Sequence, residues 1–139
     1  MEKEIVYNAL KNLENLGDIS GQFEQGDSLD GEIILHFPYR PPLRLVIEIK
    51  KELRQHQIPQ LLERKQEYEN FMLVAGKLHP AIKKRLQEER ITYLEENGNI
   101  FILIDGTYVF IDTNKPLKTE KSSSKKAFTK TGLKLVFSF

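Results

Sequence analysis

The stretch Leu45-Val46-Ile47-Glu48-Ile49-Lys50 decides how this chain is read. Its apolar, β-branched run predicts a buried strand, and strand side chains alternate between two faces. Leu45, Ile47 and Ile49 therefore share one face, and Val46, Glu48 and Lys50 the other. A carboxylate and an ammonium two residues apart sit beside apolar neighbours. Such groups are costly to bury unless something pairs with them. Two partners would do: each other, as an ion pair on a half-exposed edge, or a divalent cation and its substrate.

Working outward, Glu32–Phe37 alternates and predicts a preceding strand. Pro38-Tyr39-Arg40-Pro41-Pro42 is predicted to interrupt it, since prolines lack N–H donors. Residues 30–50 then form a hairpin with a stiff loop. Upstream, Ile5, Val6, Ala9, Leu10, Leu13 and Leu16 recur at helical spacing over residues 2–16, and Gly17 supplies a stop. A short strand is expected around Ile19–Glu24. Downstream, Pro59 suits the first turn of a helix running to about Tyr68. Phe71–Ala75 predicts a buried strand, parallel to the Glu48 strand because the helix between them supplies the crossover. His79-Pro80 opens a third helix, with Ile82 and Leu86 inward and Lys83, Lys84, Arg85, Glu88 and Glu89 outward. Strands are expected at Ile91–Leu94, Asn99–Ile104 and Thr107–Ile111, turned by Asn97-Gly98 and Asp105-Gly106.

The order helix, three strands, helix, strand, with Asp30 and then Glu48-x-Lys50 at a strand end, resembles the PD-(D/E)xK nuclease superfamily. The resemblance covers roughly residues 1–113. It implies an α/β, restriction-endonuclease-like αβββαβ core: a mixed central sheet flanked by helices, with β-hairpins added after it. It further implies that Asp30 and Glu48 hold one or two Mg²⁺ (or Mn²⁺) ions, helped by the Ile49 carbonyl. Lys50 would orient or deprotonate water, and Gln57 and Gln60 would reach the site from the next helix. Glu32, two residues from Asp30 on the same face, is the rival first acid. The segments Ile47–Gln60, Ile91–Ile102 and Lys126–Phe137 also look like pieces of bacterial antitoxin-like or transcriptional regulators, which place such a domain before a winged helix. On that likeness, residues 1–113 are the nuclease-like domain, 114–126 a basic Ser/Lys linker, and 127–139 the start of a truncated C-terminal region.

Each residue also has a plainer reading. Glu48–Lys50 can be a structural ion pair, and Gln57 and Gln60 can cap a helix or face water. Glu4 can simply be exposed. Arg40, Arg44, Lys51 and Arg54 can rim a DNA-phosphate site or be solvated. His56 lies between glutamines, and His36 and His79 lack partners at zinc-ligand spacing.

Composition bounds the rest. The 139 residues are 40% apolar and 29% charged, ordinary for one compact domain. With no cysteine, disulfides and thiolate sites are excluded. The charged Met1-Glu2-Lys3-Glu4 start does not read as a secretory signal, and no apolar run reaches membrane-spanning length. A cytoplasmic protein without membrane contact is expected. Residues 115–139 hold seven lysines against Glu120, or +6, so the overall +1 leaves −5 for residues 1–114. A basic appendage on an acidic core suits DNA as partner, or merely a solubilised linker. Leu133-Lys134-Leu135-Val136-Phe137 needs cover, from the domain or from a second copy in a homodimer. Phosphate-loop, dinucleotide and nucleophile-elbow motifs are absent. Two functions stay open: a Mg²⁺-dependent endodeoxyribonuclease, and an inactive nucleic-acid-binding or protein-interaction module of a regulator.

Overall fold

The computed structural model describes residues 2–104 and 106–113, and the backbone of 133–137. The elements are α1 (Glu2–Leu16), β1 (Ser20–Glu24), β2 (Glu32–Phe37), β3 (Arg40–Glu52), α2 (Ile58–Glu67), β4 (Phe71–Lys77), α3 (Pro80–Glu88), β5 (Tyr93–Glu95), β6 (Ile100–Ile104), β7 (Thr107–Ile111) and β8 (Leu133–Phe137). A 3₁₀ turn, Gln55–Gln57, leads into α2.

All eight strands form one mixed sheet in chain order. β3, β4 and β5 run parallel, with Glu48 beside Leu73 and Leu73 beside Tyr93. Every other neighbouring pair is antiparallel. The parallel pairs are the two joined through helices, as crossover geometry requires. The fold is thus α/β, with a mixed sheet and three helices.

Two cores follow from strand alternation. α1 lays Ile5, Val6, Ala9, Leu10 and Leu13 against Ile33, Leu35, Leu45, Ile47, Met72, Val74, Ile102 and Val109 on one face. α2 and α3 lay Ile58, Leu61, Ile82 and Leu86 against Phe71, Leu73, Ala75, Tyr93 and Phe101 on the other. On β3, Leu45 and Ile47 are fully buried in the α1 core, while Val46, Glu48 and Lys50 are only half-buried on the α2 face. The α2–α3 layer is centred on β4, so the polar row of β3 lies at its border.

Three expectations need correction. The proline stretch does not interrupt the hairpin for five residues. β3 already begins at Arg40, leaving Pro38 and Tyr39 as the turn. Pairing shifts register between Leu35 and Phe37, so Pro41 and Pro42 enter the strand at an irregularity where ladder donors are not needed. Lys83 does not face solvent; it is 7% exposed. The strand expected at Ile91–Leu94 is displaced to Tyr93–Glu95. Leu133–Phe137 forms the sheet's last strand, pairing Val109 with Leu135. The proposed linker, 114–126, lies outside the described residues.

Among the described residues, no helix is long and apolar enough to cross a membrane.

Candidate functional site

Asp30 reaches β3 through an irregular entry into β2. Gly31 has φ +121°, a value that suits glycine, and a Cβ there would meet the Glu24 carbonyl at 2.8 Å. The kink makes two residues face one. The Asp30 N–H donates to the Ile47 carbonyl at 3.1 Å, and the Ile47 N–H donates to the Gly31 carbonyl at 3.0 Å. The Asp30 carboxylate then accepts the Ile49 N–H at 2.8 Å. Asp30 thus bonds to the residues on either side of Glu48. Backbone groups of Ile47 and Ile49 turn to the same side of β3, so the Ile49 carbonyl also opens toward Asp30.

Glu48 is held by two cations. Lys50 Nζ lies 3.5 Å from one carboxylate oxygen, and Arg64 Nε donates to the other at 3.2 Å. The Glu48 side chain is only 12% exposed. The Arg64 guanidinium also reaches Glu67, one turn along α2, at 3.3 Å. The bond to Glu48 is the main reason the Arg64 pKa is raised, so its charge is permanent. Glu48 is thus neutralised by Lys50 and Arg64, while Asp30, an exposed residue, is anchored on the Ile49 N–H.

Glu32 is placed differently. It stands opposite Val46 and pairs with Arg44, which also bonds Glu24 at 3.2 Å. Those two acids raise the Arg44 pKa, Glu32 contributing most. Glu32 is committed to a surface ion pair one row away, whereas Asp30 is level with Glu48.

The glutamines do not join this group. The Gln57 side-chain oxygen accepts the Arg54 N–H at 2.9 Å and closes the 3₁₀ turn, and Gln60 is exposed on α2. His56 is exposed. His36 hydrogen-bonds Gln22 at 3.1 Å, and His79 caps α3 by accepting the Ala81 N–H at 3.1 Å. Glu4 is exposed on α1. The proposed basic rim is not gathered either. Arg40 stands over Phe37, with its ring centroid 5.5 Å away, and contacts Thr107. It lies ten residues from Lys50 along β3, about 33 Å in an extended strand. Arg44 is neutralised by its two acids, and Arg54 pairs with Glu52 at 3.5 Å.

Arg64 was not marked by sequence reasoning, although a signal existed. It lies three residues after Leu61 on the crossover helix, beside that helix's buried stripe. That helix covers the strand face carrying Glu48.

A second polar cluster also went unread. Lys83 Nζ lies 3.2 Å from both Glu95 and Asp112. The Asn99 amide donates to the same two acids, each at 3.2 Å, and its oxygen accepts the Thr113 N–H at 3.0 Å. The Leu78 N–H donates to the remaining Glu95 oxygen at 2.9 Å. This satisfied network ties α3, β5, β6 and the end of β7 together.

Among the described residues, no three or more His, Cys, Asp and Glu side chains converge as a ready metal cage. Comparison with protein-family models, curated proteins and solved structures finds no match to this chain.

Proposed function

We propose that the domain is a PD-(D/E)xK-type nuclease module with a restriction-endonuclease-like core, acting on DNA phosphodiesters through Asp30, Glu48 and Lys50. The observation that carries this reading is the Asp30–Ile49 bond. It brings the first acid of the motif level with Glu-x-Lys across a kinked strand entry. Two carboxylates and the Ile49 carbonyl fit Mg²⁺ or Mn²⁺, since magnesium keeps several waters and takes one or two protein carboxylates. When bound, such an ion supplies charge for the phosphate and lowers the pKa of water. Asp30 and Glu48 would hold it. Lys50, anchored on Glu48, would orient the attacking water or hold the scissile phosphate.

One observation favours a second reading, a binding module of a regulator without activity. Both Glu48 oxygens are already occupied by Lys50 and Arg64. On this reading Glu48, Lys50 and Arg64 are a structural ion-pair cluster beside a nucleic-acid or protein surface.

Incubation with supercoiled DNA and Mg²⁺ or Mn²⁺ separates the two. The nuclease reading expects nicking that Lys50→Ala abolishes while leaving the thermal midpoint in place. Intact DNA under all conditions, with no heat of Mn²⁺ binding, would leave the binding module.

A further inference from the structure

Arg64 holds the acid that a cation would need. Its guanidinium spans two carboxylates: Glu48, with 12% of its side chain exposed, and Glu67, with 58%. It has a resting place at each end, so it can leave Glu48 and stay tethered to α2. While it remains, both Glu48 oxygens are engaged by Lys50 and Arg64, so a divalent ion meets two positive charges at the acid it needs and must displace one of them. Electrostatic attraction for the ion is therefore weak. A phosphodiester changes the balance. It brings a negative charge and oxygen acceptors suited to an arginine fork.

We propose that Arg64 is a charge gate, occupying Glu48 until a phosphodiester draws it away, so that divalent binding depends on the nucleic acid. The inference rests on the Asp30/Glu48 cation site proposed above. Arg64 is a positioning residue in this scheme: it acts by releasing Glu48. Coupling is reciprocal, so the cation must tighten binding of the phosphodiester by the same factor.

The test is calorimetric titration of Mn²⁺ into the full chain, with and without a short phosphorothioate duplex that resists cleavage. The titration of Mn²⁺ into duplex alone is subtracted. Wild type should bind Mn²⁺ about tenfold tighter with duplex present, within the usual range of coupling between sites. Arg64→Gln should bind Mn²⁺ tightly without duplex and gain little from it. Arg64→Lys keeps the charge without the fork, and should hold wild-type weakness without duplex but lose much of the coupling. Circular dichroism confirms that each variant is folded. Equal Mn²⁺ affinity in wild type and Arg64→Gln, or no effect of duplex on wild type, would overturn the gate and leave the cation site standing. Absence of Mn²⁺ binding by every protein in both conditions would overturn the cation site itself, and the gate with it.

Discussion

The Asp30 carboxylate accepts the Ile49 backbone N–H at 2.8 Å, where the regular β2–β3 ladder no longer supplies an acceptor. A side chain thus extends the pairing by one rung. Asp30→Ala leaves that N–H without its partner, a loss of about 1 kcal/mol of stability. Asp30→Asn keeps an acceptor oxygen and should be close to neutral. Both should lose Mn²⁺ binding. Urea unfolding separates the roles: equal midpoints for the two variants would show that the bond does not support the strand.

Lys83 sits between Glu95 and Asp112, 7% exposed. Lys83→Met would leave two carboxylates facing each other without their cation. Breaking a buried pair in this way is expected to cost about 3 kcal/mol. Asp112→Asn should cost less, because Asp112 is the more exposed acid and keeps a polar group toward Lys83 and Asn99. Neither change touches Glu48, so Mn²⁺ binding should survive wherever the protein stays folded. Denaturant titration checks both, and a loss below about 1 kcal/mol for Lys83→Met would mean that the network is slack.

Tyr93 gives the pH dependence. Its hydroxyl accepts from Gln87 at 2.9 Å, and burial, the largest cause, pushes its pKa well above the ordinary 10.0. The folded state therefore disfavours phenolate more than the unfolded state does. Stability from this group is complete below pH 10 and falls as pH rises through the unfolded-state value. The slope approaches about 1.4 kcal/mol per pH unit until the folded-state pKa is reached. Tyr93→Phe should remove this alkaline loss, at the cost of leaving Gln87 unpartnered. Thermal midpoints at pH 8 and pH 11 test it. An identical alkaline drop in wild type and variant would assign the loss to other groups.

Local patterning made most of the architecture legible. Helical spacing of Ile5, Val6, Ala9, Leu10 and Leu13 placed α1, and the apolar run Phe71–Ala75 placed β4 parallel to β3. Pro41 and Pro42 misled, because a proline rule assumes a regular ladder and this one shifts register. Lys83 misled for another reason. A lysine on an amphipathic helix reads as solvent-facing, and only the tertiary fold brings Glu95 and Asp112 to it. At the site, strand alternation puts Glu48 and Lys50 on one face, whereas Asp30, 18 residues upstream of Glu48, is singled out only by the likeness to a nuclease motif. Arg64 joins through the packing of a helix on a sheet, and no short window of sequence holds that relation. The proposal of DNA chemistry rests on the motif and on the Asp30–Ile49 bond, and the nicking assay is its test.

Gly31 links the fold to the site. At φ +121°, with Glu24 and Phe23 within 2.8 Å of any added Cβ, it permits the kink that lets both Asp30 and Gly31 bond Ile47. Gly31→Ala should cost about 1–3 kcal/mol, the usual range for a residue forced into sparsely populated backbone space. It should also shift Asp30 away from Ile49 and weaken Mn²⁺ binding. Gly98→Ala is the matched control. Gly98 has φ +98°, and a Cβ there would press on the Asn12 backbone at 2.8 Å, in the β5–β6 turn rather than at the entry to β2. It should lose comparable stability while keeping Mn²⁺ affinity at a temperature where it is folded. If both alanine variants retain wild-type Mn²⁺ affinity, the kink at Gly31 serves only the hairpin, and Asp30 is not held in place by it.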